Sequence, residues 1–126
     1  MKRVVTAVSA IILTFVVSFT GFFLVKNSCD KLTDHLESIC EIARSDNVES
    51  AIQKTDDAVK LWEESHGLIE SFIRHEETDR LEEVIKSLPI YARQGNMERL
   101  EQQADLAIDE IAHLIRNEKP LISNIF

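Results

Sequence analysis

Two Glu-x-x-His pairs, Glu63 with His66 and Glu110 with His113, are the residues best spaced for chemistry. At i,i+3 a carboxylate and an imidazole share one helix face, and di-metal helical bundles place such pairs on alternate helices. Facing argues against that use here. His66 falls on an apolar seam, whereas His113 is turned about 100° from Leu114 and about 200° from Ile111, so it points outward. No metal ligand and no cofactor is therefore assigned. Within its seam His66 reads as a hydrogen-bonded neutral core residue, with a pH-sensitive core group as the sharper alternative. The lone Trp62 marks the middle of the same seam and reads as core packing. His75 and Asp79, four residues apart, predict a local bond that orders a corner between helices. Trp62, His66, His75 and Asp79 are thus the residues open to a ligand or partner contact.

Nothing else in the chain assembles a reactive centre. There is no Ser/His/Asp set, no glycine-rich phosphate loop and no Cys-x-x-Cys. The expectation is that the protein is not an enzyme and has no catalytic residue. Cys29 and Cys40 lie eleven residues apart on one expected helix, about 16 Å along its axis. A disulfide needs Cα atoms within about 7 Å, so the two do not pair with each other. Cys40 reads as a small buried hydrophobe. Cys29, near the start of the domain, is within reach of a second copy.

These residues are positioned by what precedes them. Val4–Val25 is an uncharged run of 22 residues between Arg3 and Lys26. As a helix it is roughly 33 Å long, enough to cross a hydrocarbon core of about 30 Å. The run is longer than the apolar part of a cleaved signal peptide, and its small-x-small site, Ser18-Phe19-Thr20, lies inside it. No lipoprotein-type lead-in precedes Cys29. The run is therefore expected to remain as an anchor in the lipid bilayer. Lys2 and Arg3 favour a cytoplasmic N-terminus by the positive-inside rule, leaving residues 1–3 as a stub and the rest extracytoplasmic. A signal would then pass sideways, to another membrane protein. Thr6, Ala10, Thr14 and Ser18 recur every four residues, with Gly21 beyond them, a small-residue ridge on which another membrane helix can pack.

The 126-residue chain leaves room after the anchor for one small domain. Gly (3) and Pro (2) are scarce and charged residues make up 29%, a composition that favours helix over sheet. Net charge is −8, and beyond Arg3 there are 12 basic against 22 acidic residues. An acidic domain argues against nucleic acid and against gripping anionic lipid or cell-wall polymers through its net charge.

Apolar periodicity predicts four soluble helices. The first runs from about Ser28 to Arg44, with Cys29, Leu32, Leu36, Ile39, Cys40 and Ala43 in one stripe. Asp46 and Glu49 suggest a capping box for the second, Asn47–His75. Its seam is Val48, Ile52, Thr55, Val59, Trp62, His66, Ile69 and Ile73. Glu76-Glu77-Thr78 reads as a polar join. The third helix, Asp79–Gln94, turns Leu81, Val84, Ile85, Leu88, Tyr91 and Ala92 inward and contains Pro89, expected to kink it. Gly95 and Asn96 read as stop and cap. The fourth, Met97–Asn117, carries Leu100, Ala104, Ala107, Ile108, Ile111, Leu114 and Ile115. Pro120 is expected to end it, leaving an apolar tail at 118–126 docked through Ile125 and Phe126. The fold class is all-α: one N-terminal transmembrane helix, then an antiparallel up-down four-helix bundle over residues 28–117.

The bundle also suggests an αα-hairpin duplication. Residues 30–66 laid over 79–115 give ten identities in 37 positions, among them Ala43/Ala92, Arg44/Arg93, Asn47/Asn96, Glu49/Glu98 and Asp56/Asp105.

At Trp62, at His75-Glu-Glu-Thr-Asp79 and at the closing Pro120-Leu-Ile-Ser-Asn-Ile-Phe126, the chain resembles a bacterial family described as domain of unknown function 4363. The likeness is end to end, from a short basic start through one anchor to an Asn-Ile-Phe/Leu-type ending. Cys29, Cys40 and Pro89 have no match in that pattern. The resemblance implies a Firmicutes-type origin and company with multi-pass membrane proteins of the YetF-like class; it supplies no activity. Two functional expectations follow. One is a membrane-anchored extracytoplasmic interaction module, an accessory subunit of a larger membrane protein or a homo-oligomer. The other is a ligand-sensing bundle that uses the space beside Trp62 and His66 and relays through a membrane partner. A packed core around Trp62 favours the first; an apolar pocket there favours the second.

Overall fold

A computed structural model describes residues 1–125, with side chains as far as Arg116. Among the described residues there are four α-helices and no strand: α1 (Lys2–Arg44), α2 (Val48–Phe72), α3 (His75–Arg93) and α4 (Met97–Ile125). Helix α1 packs on α2 and α4, and α3 packs on the same two helices, so the four enclose one core. Trp62, Leu32, Leu36, Ile69, Leu81, Ile85, Leu100 and Ile111 are among its largest wholly buried side chains.

Helix α1 is 43 residues long, about 65 Å. The sequence suggests an anchor and then a separate helix from Ser28; the chain instead runs through Lys26-Asn27-Ser28 without a break. Neither Gly nor Pro interrupts Lys26–Arg44, and the buried positions cross the boundary at helical spacing: Gly21, Val25, Cys29, Leu32, Leu36. The N-terminal part of α1 exposes Val4, Val5, Ile11, Ile12, Leu13, Val17, Phe19 and Phe23. It is long and apolar enough to cross a membrane.

In α2 the inward face is rotated from the expected seam. Thr55, Trp62 and Ile69 are buried as expected, but Ala51, Ala58 and Ser65 join them, while Val48, Ile52, Val59 and His66 are only half-buried. Small side chains every seven residues let the neighbouring backbones come close, so the larger β-branched residues flank the contact rather than fill it. That rotation moves His66 out of the core. The inward faces of α1, α3 and α4 match expectation more closely, with Met97 and Thr78 added and Val84, Tyr91, Ile108 and Ile115 at the margins.

The turns show why the helix ends fall where they do. Asn47, not Asp46, caps α2: its Oδ1 accepts the Ser50 N–H at 3.3 Å. Asp46 instead takes a left-handed conformation, φ 58°, as Gly95 does at φ 70° in the equivalent turn. Asn96 Oδ1 accepts the Arg99 N–H at 3.2 Å, opening α4. Helix α3 begins four residues before the expected start. Glu76 and Glu77 form its first turn rather than a join, where carboxylates favour the positive end of the helix dipole. Pro89 is buried within α3, and its missing N–H leaves the Ile85 carbonyl without the usual donor. Helix α4 continues past Pro120, the expected stop, to Ile125.

Burial repeats at an offset of 49. Cys29, Leu32, Leu36, Ile39, Cys40 and Ala43 are buried in α1, and Thr78, Leu81, Ile85, Leu88, Pro89 and Ala92 in α3. Ala51, Thr55, Ala58, Trp62 and Ser65 correspond likewise to Leu100, Ala104, Ala107, Ile111 and Leu114.

Candidate functional site

A cluster of polar groups lies between the C-terminal half of α2 and α3. Trp62 is wholly buried, and its indole N–H donates to Glu82 Oε1 at 3.3 Å. The His66 ring stands edge-on to Trp62, with centroids 5.5 Å apart. His66 Nε2 lies 2.9 Å from Glu70 Oε1 and 3.9 Å from Glu82 Oε1. The same Glu70 oxygen is 3.4 Å from His75 Nδ1, and Lys86 Nζ is 3.2 Å from Glu82. Two carboxylates, one on each helix, therefore organise two imidazoles, an indole and an ammonium. Partial burial alone would raise the Glu82 carboxyl. Hydrogen bonds from Lys86 and Trp62, with the charges of Lys86 and His66, outweigh it and hold the group below its ordinary value.

The arrangement differs from expectation in its partners. His75 meets Glu70, not Asp79, and Asp79 is exposed on α3. Trp62, His66 and His75 come together; Asp79 does not join them. Glu70 and Glu82 were not singled out in the sequence, although each has a helical neighbour at four residues, His66 and Lys86, that carries the signal. Chemically the cluster is a set of charge-assisted bonds clamping α2 to α3. Glu63 and His113 are exposed. Among the described residues no three His, Cys, Asp or Glu side chains are placed to hold a metal ion.

Both cysteines are free thiols buried against the core. Burial, then the Asp30 charge, pushes the Cys29 thiol up to about 11. Burial also leads for Cys40, whose Sγ–H donates to Asp105 Oδ1 at 3.4 Å; it is pushed up to about 12. Cys29 has none of its surface exposed, so a disulfide to a second copy requires the helix pair to open.

The small-residue ridge of α1 is divided. Thr6, Ala10, Thr14 and Ser18 are exposed. The Thr6 hydroxyl donates to the Lys2 carbonyl at 2.8 Å and Thr14 to the Ala10 carbonyl at 2.9 Å, leaving their oxygens as acceptors. Gly21 is covered by its own chain: a Cβ there would collide with the Phe72 ring from the end of α2. The side chains of Ile125 and Phe126, expected to dock the tail, lie outside the described residues.

No curated protein and no solved structure matches the chain. A family model described as "Domain of unknown function (DUF4363)" matches residues 19–125. The match spans the end of the apolar run, the rest of α1 and the whole of α2, α3 and α4, and the chain belongs to the DUF4363 family.

Proposed function

We propose that the protein is a membrane-anchored extracytoplasmic interaction module, an accessory subunit held beside a larger membrane protein. The observation that carries this reading is the continuity of α1. One helix presents an exposed apolar run over its first half and a packed core face over its second. Motion or contact at the membrane segment is thereby coupled to the domain without a flexible joint. Lys2 and Arg3 favour the cytoplasmic side for the N-terminus. The open part of the ridge, Thr6, Ala10 and Thr14, offers a face for a partner helix. That partner is a multi-pass protein of the YetF-like class or a second copy of this chain.

On this reading the soluble part is an antiparallel up-down four-helix bundle. Support comes from paired positions on α1 and α4: Arg44 meets Glu101 at 2.7 Å and Cys40 meets Asp105, so one index falls as the other rises. The constant offset of buried residues and the matched turns at Asp46 and Gly95 support two duplicated αα-hairpins. The full enclosure of Trp62 favours an interaction module over a ligand sensor.

Assembly in the membrane tests the proposal. Blue-native electrophoresis of gently solubilised membranes should show the chain in a complex well above 14.4 kDa. Ala10→Leu with Thr14→Leu should dissociate it. An unchanged complex in the double variant would exclude the ridge as the partner face.

A further inference from the structure

Where α1 leaves its apolar run, the domain does not stand clear of it. Phe72, the last residue of α2, lies against Gly21. Gly21 is four residues inside the Val4–Val25 run, about 6 Å below its end. Ile73 follows Phe72 and is buried. Beside this contact is a crevice of about 190 Å³. It is lined by Ser18, Phe22 and Val25 of α1, by Phe72 and Ile73 at the end of α2 and by Ile115 of α4. Among the described residues its one charged lining residue is Lys26, the first residue after the apolar run.

We propose that this end of the domain is seated about one helical turn inside the bilayer, and that the crevice holds an acyl chain of a phospholipid whose phosphate lies at Lys26. The proposal rests on the membrane-anchored reading. Three features argue for lipid as occupant. The crevice is lined by the same stretch of α1 that exposes Phe19, Phe23 and Leu24; with α1 spanning a bilayer, those side chains face acyl chains. Apart from Ser18 and Lys26 its described lining is apolar, which suits an apolar group better than ordered water. Lysine at the end of a spanning helix keeps its stem in the apolar layer and its ammonium at headgroup level, where it attracts anionic phosphate. Phe72 is also 41% exposed while contacting the anchor, an aromatic placement suited to the membrane boundary.

The test uses the full chain in nanodiscs of equal phosphatidylglycerol and phosphatidylcholine. A photoreactive phenylalanine analogue replaces Phe72, Phe19 or Ile90 in turn, and adducts are identified by mass. Lipid adducts are expected at Phe72 and Phe19 and none at Ile90, which is exposed near the opposite end of α3. At Phe72 phosphatidylglycerol should exceed phosphatidylcholine about fivefold more than it does at Phe19, the preference expected of one lysine near an anionic headgroup. Lys26→Glu should abolish that excess. Lipid at Phe19 with no lipid at Phe72, or cross-linking of Phe72 to the chain's own Leu121–Phe126, would overturn the proposal and leave the membrane reading standing. Absence of lipid at Phe19 would overturn both.

Discussion

Cys29 and Cys40 carry thiols whose ionisation is suppressed by burial, and thiolate is the reactive form. Maleimide should label neither in the folded protein at neutral pH and both after denaturation. Rapid labelling of the native protein would show that α1 does not pack as described. Glu82 offers a second residue-scale test. Its carboxyl is lower in the folded state than its ordinary value of 4.5, so the folded state holds the charged form more firmly. That stabilisation is complete above the unfolded value and is lost as pH falls through the lower folded one. Glu82→Gln should lower thermal stability near neutral pH, by no more than about 1 kcal/mol, and should flatten its decline on acidification. Parallel acid profiles, followed by the fluorescence of Trp62, would contradict the assignment. The cluster was half legible in the sequence. Trp62 and His66 stood out by type and seam position; Glu70 and Glu82 looked like ordinary surface carboxylates because their partners are spread across two helices.

At the scale of elements, the turns make the sharpest predictions. Gly95 and Asp46 both occupy left-handed backbone, where a side chain costs about 1–2 kcal/mol and Asp is among the better tolerated. Gly95→Ala should destabilise by about 1 kcal/mol, and Asp46→Gly should stabilise by a few tenths. Thermal unfolding measures both, and destabilisation by Asp46→Gly would argue against the matched turns. Trp62→Ala should cost about 3–5 kcal/mol, the loss typical of a large buried aromatic. The stripes of α1, α3 and α4 were legible because their large aliphatics face inward. The buried face of α2 is displaced from its apolar seam because Ala51, Ala58 and Ser65 lie on that face, and small residues carry little hydrophobic signal. The starts of α3 and α4 show the same contrast. Asn96 after Gly95 announces a helix, whereas Arg74 has no side-chain cap to announce one.

For the whole molecule, the long apolar N-terminal run and the helical class follow from length and apolar patterning alone. The fusion of that run with the first core helix does not, because Lys26-Asn27-Ser28 reads equally well as a boundary or as helix surface. What decides it is packing: Val25 and Cys29 are buried on one face across that junction, against residues far away in the chain. On the proposed reading, the continuous α1 makes the anchor part of the domain and gives a partner in the membrane direct purchase on it. Capture of the full chain by its C-terminus from gently solubilised native membranes, followed by identification of what co-purifies, tests this account most directly. A stoichiometric multi-pass protein, or a second copy of the chain, that is lost on filling Ala10 and Thr14 with leucine is the predicted result. Recovery of this chain alone, as a monomer, would contradict it.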